Sequence, residues 1–404
     1  TNDFGGGIWN GIYYSVSQYR SIGRKSDALG YKFYQGISKI MEAHAMAILV
    51  DLYGDVPYST AFDLTGNIRP TYDKGEDIYK KLLPLIDTGM LLIKSAGSDV
   101  NIASQDIMFK GNKTNWAKFG NTLKLRLLLH TVKVSTFNIQ AEVAKIVAEG
   151  SGFLGNGLSA SVQPGYTPDK PNPFYNAHLF LITGAEADNY NRANNFSLNL
   201  MNSLSDPRVT RVYRPAKTTG LYRGTDYGSD PVAANSSDNT SGPGYGLAPL
   251  PSSPMWLMTS VEAMFLRAEA VARGYLAGDA KMAYEDAVRE SFTYLGLTAA
   301  SANTYLAQAD AKVTFPTAGT LQDKIAVIAW QKYFALNGLQ ANETFTDFRR
   351  LGVVQPSLSV APERGNNLII RRLLYPTTEY SYNAQNVGAQ GTITPYTPRV
   401  FWDK

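Results

Sequence analysis

The sequence predicts a mostly α protein: helix pairs forming an α-superhelical scaffold that carries a loop-rich, irregular subdomain. Three observations predict it. Apolar residues recur at helical spacing through two blocks, residues 31–150 and 255–350. Between them, residues 151–254 lose that periodicity and fill with Gly, Pro, Asn, Ser and Tyr. In the second block, Ala280, Ala283 and Ala287 put small residues where two helices cross, which lets them pack closely.

Taken in order, residues 31–53 place Ile37, Ile40, Met41, Ile48 and Leu52 on one side and Met46, Leu49 and Val50 on the other, so this helix is buried around most of its circumference. It runs into "YGDVPY", where Gly54 suits a left-handed cap and Pro57 disfavours helix at Val56. That turn reads as a hard stop, with Tyr53 and Tyr58 covering its backbone. Residues 75–94 carry Ile78, Leu82, Leu85 and Ile86 in register, residues 116–134 carry Leu123, Leu125, Leu127 and Leu128, and residues 137–149 end at Gly150 and Gly152. A loop-rich stretch of about a hundred residues is too long to be structureless in a compact protein, so residues 151–254 read as short helices, such as 194–204, and turns such as "SDPR" at 205–208. Helical spacing resumes at Met255, turns at Gly278-Asp279 in a way similar to a tetratricopeptide unit, and returns over residues 321–336. The whole reads as a single domain over residues 1–404, closed by a Pro- and Asn-rich tail over residues 351–404.

Composition narrows the chemistry. The formal charge is +4, from 38 basic and 34 acidic residues with no dense basic block, so nucleic acid is not indicated. Cysteine is absent, which excludes disulfides and thiolate chemistry within these residues, and three scattered histidines, His44, His130 and His178, do not make a metal site. No run of about 20 apolar residues spans a membrane. The chain opens on Thr1 with no signal-peptide core, so a segment bearing an export signal or lipid anchor is expected upstream.

No catalytic constellation emerges. "FGGGIWNG" and "GSGFLGNG" lack the Lys-[Ser/Thr] or strand-helix context of a phosphate cradle and read as turns. Glu262 and Glu269 read as helix charges, and Asp226, Asp230 and Asp238 as turn formers, although two loop carboxylates at the right separation would be what a glycosidase needs. Loop aromatics beside amides and guanidinium read better as a binding surface, because flat apolar faces next to fixed donors suit a sugar or peptide. The candidate ligand residues are Tyr190, Asn191, Arg192, Tyr222, Tyr227 and Tyr245, with Trp9 in its Gly-rich stretch. No metal or cofactor is expected.

Six segments in order then acquire a common meaning. "DLYGDVPYSTAF", "NWAKFGNTLKLRLLLH", "SDPR" with Tyr213, "MTSVEAMFLRAEAVARG" with "GDAKMAYEDAVRESF", "IAWQKYFALNGLQANETFTDFRRLG" and "RRLLYPTTEYSYNAQNV" resemble the motifs of the SusD/RagB family of outer-membrane nutrient-binding lipoproteins. The resemblance implies tetratricopeptide-like helix pairs and a lipidated cysteine upstream of Thr1, at the cell surface of a Gram-negative bacterium. It also implies a SusC-like, TonB-dependent β-barrel transporter as partner, and an oligosaccharide ligand, with peptides in some members. Family members are not enzymes, and the matched motifs are scaffold, so the resemblance transfers no ligand residue. Arg349 and Arg350 read as capping groups or as partners of a carboxylate such as Glu379. The expectation is a surface glycan-binding component of polysaccharide uptake. The alternatives are a peptide-binding variant, a glycosidase acting through two loop carboxylates, or a helical interaction scaffold without a small ligand.

Overall fold

The computed structural model describes residues 3–63, 65–97 and 102–404. They fall into two compact units, one of Thr1–Phe153 with Leu368–Lys404, the other of Leu154–Asn367. The irregular residues after 153 and the helices of the second block therefore belong to one unit, while the C-terminal tail from Leu368 belongs to the other.

The first unit contains α1 (Gly6–Ala28), α2 (Lys32–Tyr53), β1 (Val56–Pro57), β2 (Tyr72–Asp73), α3 (Gly75–Ser95), α4 (Ile102–Gln105), α5 (Lys113–His130) and α6 (Ile139–Glu149), with α15 (Thr377–Tyr382) and α16 (Ala384–Gly388) from the tail. Consecutive long helices pack as antiparallel-type neighbours: α2 on α1 and α3, α3 on α5, and α5 on α6. Helix α2 is buried nearly all round, as its sequence requires. Its closeness to α3 is set by a glycine pair, since a Cβ on Gly36 would stand 2.5 Å from the Gly89 carbonyl oxygen. The ends of α5 and α6 are fixed by Asn112 and Asn138, whose side chains accept from the amides of Asn115 and Ala141. Helix α1 corrects the reading of "FGGGIWNG" as a turn. The chain is helical from Gly6, and Trp9 lies in a helix with its side chain buried, not in a loop.

Several buried polar groups of this unit are paired. Asp51 accepts from Tyr79 and from the Trp402 indole (2.9 Å) and stands 3.5 Å from His130, joining the last residues of the chain to α2 and α3. Trp116 donates to Asp106 (2.8 Å), and the buried Lys124 ammonium lies between Asp87 and Glu142. His44 faces the Arg126 guanidinium at 3.0 Å, and burial together with that positive charge holds its pKa at about 3.

The second unit contains β3 (Ala160–Val162), α7 (Pro173–His178), α8 (Asn195–Ser203), α9 (Val209–Val212), β4 (Met255–Met258), α10 (Ser260–Ala272), α11 (Ala280–Tyr294), α12 (Ala299–Leu306), α13 (Leu321–Leu336) and α14 (Ala341–Leu351). Residues Met255–Met258, expected to be helical, pair with β3 as a short antiparallel strand, and Thr259 caps α10 by accepting from the Glu262 amide. Helix α10 packs on α11 and α13, α11 on α12, and α13 on α14.

Charges hold this unit together from inside. Arg350 is fully buried and grips Glu269 with two bonds (2.7 and 2.6 Å) while its Nε donates to Asp347 (2.7 Å). Lys332, also buried, lies 2.6 Å from Glu343 and 2.9 Å from Asp347. Glu262 and Glu269, read as simple helix charges, are buried, and Arg350 does pair with carboxylates, but with Glu269 and Asp347 and not Glu379. Burial opposes ionisation of Glu269, but Arg350 and Arg273 outweigh it and bring its pKa down to about 2. The "SDPR" turn likewise drives Arg208 into the core, where it binds Asp206, Ser291 (2.9 Å) and Gln331 (2.7 Å) and lies 4.9 Å from the Phe292 ring centre.

Two outcomes follow for stability. Arg350→Ala removes the buried cation that Glu269 and Asp347 share and leaves them only Arg273 and Lys332. It is expected to destabilise the protein by about 3–5 kcal/mol in denaturant titration, whereas an exposed arginine such as Arg69 should cost under about 0.5 kcal/mol. His44 has a depressed folded pKa, so its contribution is full above the unfolded value of about 6.5 and is lost as pH falls towards 3. Stability should drop by about 1.4 kcal/mol per pH unit over this window, with Glu269 adding to the loss below pH about 4.5, and His44→Gln should remove the part between pH about 6 and 4.5.

Candidate functional site

Helix α1 carries Trp9, Tyr13, Ser17, Arg20 and Arg24 at steps of three and four residues, which puts them on one stripe. That stripe faces a cavity of about 520 Å³ in the first unit, whose other walls come from Pro57, from Ala61, Phe62, Asn67, Ile68 and Pro70 in the loop before β2, and from Glu379 on α15.

The turn after α2 builds one wall. Gly54 takes φ +80°, its amide still donating to the Val50 carbonyl at 2.9 Å, so the chain leaves the helix sharply. Asp55 then accepts from the Gly75 amide at 2.9 Å, tying the turn to the start of α3, and Tyr375 donates to the Asp55 carbonyl at 2.7 Å. Val56 and Pro57 pair antiparallel with Asp73 and Tyr72. The Tyr13 hydroxyl donates to the Pro57 carbonyl at 2.6 Å and locks the turn to α1. The two flanking tyrosines do not fold over the turn as expected. Tyr53 reaches the Gly5 carbonyl, and Tyr58 reaches the Glu42 carboxylate at 3.0 Å.

Aromatic rings line the interior. Trp9 packs against Tyr13 (4.9 Å between ring centres), Tyr53 (5.0 Å) and Tyr375 (5.8 Å), and Tyr13 lies 5.6 Å from Phe62 at 35°. Phe62 holds φ +70°, a left-handed backbone costly for a bulky side chain, and its half-buried ring stands beside the cavity. The Arg20 guanidinium covers that ring at 4.3 Å and the Tyr58 ring at 5.0 Å while donating twice to Glu42 (2.8 and 3.1 Å). Glu379 accepts from Tyr72 (2.7 Å) and Asn383 (3.2 Å). Burial, with Glu379 as a further cause, raises the phenols of Tyr13 and Tyr72, and burial pushes Tyr53 up to about 12, so all three remain hydrogen-bond donors at neutral pH. The cavity thus offers aromatic faces together with fixed polar groups.

The structure places the sequence-predicted residues apart. Trp9 is on this cavity, buried beneath the outer rings. The other six lie in the second unit. The Asp188 carboxylate accepts from the amides of Tyr190 and Asn191 (both 2.8 Å) and from the Asn191 side chain (2.6 Å), which gathers these two residues into one turn beside His178. Tyr190 projects with 91% of its surface exposed, and Arg192 is spent inside, on the Ser237 carbonyl (2.5 Å) and on Thr240. Tyr222 packs on the core of its unit, Tyr227 is exposed, and Tyr245 stacks on Phe180 at 5.8 Å and 17° under the Arg214 guanidinium. Sequence reasoning missed Tyr13, Phe62, Arg20, Arg24 and Glu379. The helical spacing of Trp9, Tyr13, Arg20 and Arg24 was a usable signal, hidden by the three preceding glycines.

A SusD-like family described as starch-binding and associating with the outer membrane matches residues 1–376. No curated protein matches the chain. Among solved structures, a chitin-binding SusD homologue from Flavobacterium johnsoniae is similar at 26% identity and TM-score 0.83, covering 99% of this chain and 86% of that one. A SusD-like protein from Bacteroides thetaiotaomicron is similar at 24% identity and TM-score 0.79, covering 100% and 88%. A putative outer-membrane protein from Bacteroides vulgatus, described as probably involved in nutrient binding, stands at 24% identity and TM-score 0.79, covering 96% and 89%.

If the Phe62 backbone is strained for the sake of its ring, Phe62→Gly should be more stable than Phe62→Ala by about 1 kcal/mol in thermal denaturation, because only glycine adopts φ +70° without cost.

Proposed function

The chain belongs to the SusD-like family, and we propose that within it this protein captures an oligosaccharide or polysaccharide at the cell surface of a Gram-negative bacterium and hands it to a SusC-like TonB-dependent transporter. A lipid anchor upstream of Thr1 keeps it at the outer membrane, and the transporter supplies the energy for import. The observation that carries the reading is Phe62, strained at φ +70° and set beside Tyr13 on the cavity of α1. A sugar ring presents a C–H face that stacks on such an aromatic and hydroxyls that meet the groups at the rim, here Asn67, Arg24 and Glu379. The family description and the chitin-binding relative support a saccharide.

The reading is one of binding without catalysis. The carboxylates nearest the rings are already engaged, Glu42 by Arg20 and Tyr58, and Glu379 by Tyr72 and Asn383. Neither is set up as an acid or nucleophile with an opposing partner across a bond.

Calorimetry against a glycan panel tests this. Phe62→Ala should weaken the best-binding glycan about 10-fold, equivalent to about 1.4 kcal/mol, and Tyr190→Ala should leave it unchanged. The reverse pattern would move the site to the second unit, and binding of peptides alone would replace the saccharide. Release of new reducing ends from any polysaccharide would establish a glycosidase instead.

A further inference from the structure

The aromatic cavity does not stop at Arg20. A second cavity of about 330 Å³ lies along α1 and α2 and shares Arg20 and Arg24 with the first, so the two adjoin at these side chains as a groove along α1. Its floor is narrow because Gly23 lets the helices approach, a Cβ there standing 2.7 Å from the Ser38 hydroxyl. The chemistry of this extension differs from that of the first cavity: it is lined by Arg20, Arg24, Lys39, Asp27 and Glu42, with no aromatic ring.

The charges do not cancel. Glu42 is neutralised by Arg20, whose Nε and one terminal nitrogen both donate to it. Among the described residues, neither Arg24 nor Lys39 makes an ion pair, and Asp27 is the one opposing carboxylate left in the cleft. Lys39 is half-buried and Arg24 and Asp27 are exposed, so the cleft keeps an excess of positive charge that is open to a ligand and screened by salt. At the other end of the groove, the carboxylate present is Glu379, an acceptor for hydroxyls. The groove is thus polarised, with an acceptor beside the rings and cations beyond Arg20.

We propose that the saccharide bound here carries an anionic substituent, a uronate carboxylate or a sulfate ester, which sits between Arg24 and Lys39 while a neighbouring sugar ring stacks at Phe62. This inference rests on the groove being the saccharide site. Arginine binds such planar or tetrahedral oxyanions with paired N–H donors, and lysine adds a point charge.

The test uses three oligosaccharides of matched length: a neutral galacto-oligosaccharide, an oligogalacturonide and a sulfated galacto-oligosaccharide, titrated into the wild-type protein and into Arg24→Gln/Lys39→Gln, Asp27→Asn and Phe62→Ala. Thermal denaturation confirms that the surface variants are folded. The expected result is at least about 10-fold tighter binding of one or both acidic ligands, an advantage lost in the Arg24→Gln/Lys39→Gln variant and at high salt, and increased several-fold in Asp27→Asn. Preference for one acidic ligand alone names the substituent. Equal affinity for all three, unaffected by the double variant but lowered by Phe62→Ala, overturns the anionic substituent and leaves the groove as the saccharide site. Binding that Phe62→Ala does not affect, or no binding at all, overturns the groove and this inference with it.

Discussion

The hydrogen bond from Tyr13 to the Pro57 carbonyl fixes the geometry of the site. Helix α1 contributes one wall of the groove and the turn after α2 contributes the next, and this bond sets the distance between them. Its acceptor is held by the turn itself: Gly54 bends the chain out of α2, Asp55 anchors it to α3, and the β1–β2 pair stops it from fraying. Proline at 57 suits the position, because it gives up an amide hydrogen and keeps the carbonyl that Tyr13 needs. Burial raises the Tyr13 phenol well above its ordinary value, so the bond keeps its donor at neutral pH. The turn is therefore both scaffold punctuation and cavity wall, and the two roles rest on the same backbone atoms.

Rigidity elsewhere has a similar origin. Each unit encloses charges that water would otherwise solvate, and the ones between helices are paired: Lys124 with Asp87 and Glu142 in the first unit, Arg350 and Lys332 with Glu269, Glu343 and Asp347 in the second. Such pairs add little net stability relative to apolar packing, but they penalise any shift of one helix against another, since a displaced partner leaves a buried charge uncompensated. Rings held by that frame lose little entropy when a ligand stacks on them, which favours affinity from preorganisation over contact area.

The long helices were legible wherever burial wrote a periodic signal. Residues 321–336 gave α13 to the residue, and α2, α3 and α6 differ from their expected ends by one or two positions. Helix α1 was not legible, because three consecutive glycines look like a turn and its exposed aromatics break the apolar stripe. Glu262 and Glu269 read as helix charges and Arg350 as a cap or as the partner of a carboxylate such as Glu379, since sequence shows that a residue is charged but not that its partner lies about eighty positions away. The groove was the least legible part. Phe62 is one of several apolar residues in an irregular loop, and its importance lies in a backbone angle and in neighbours from α1 that no local pattern encodes. The loop tyrosines of the second unit attracted notice by composition, and several of them serve to pack or anchor their own loops.

A crystal structure of the protein with a bound oligosaccharide tests the central claim most directly. The account predicts a sugar ring stacked on Phe62 and Tyr13, with the rest of the ligand running along α1 past Arg20. A sugar bound at Tyr190 or Tyr245 in the second unit, with the α1 groove empty, would contradict it.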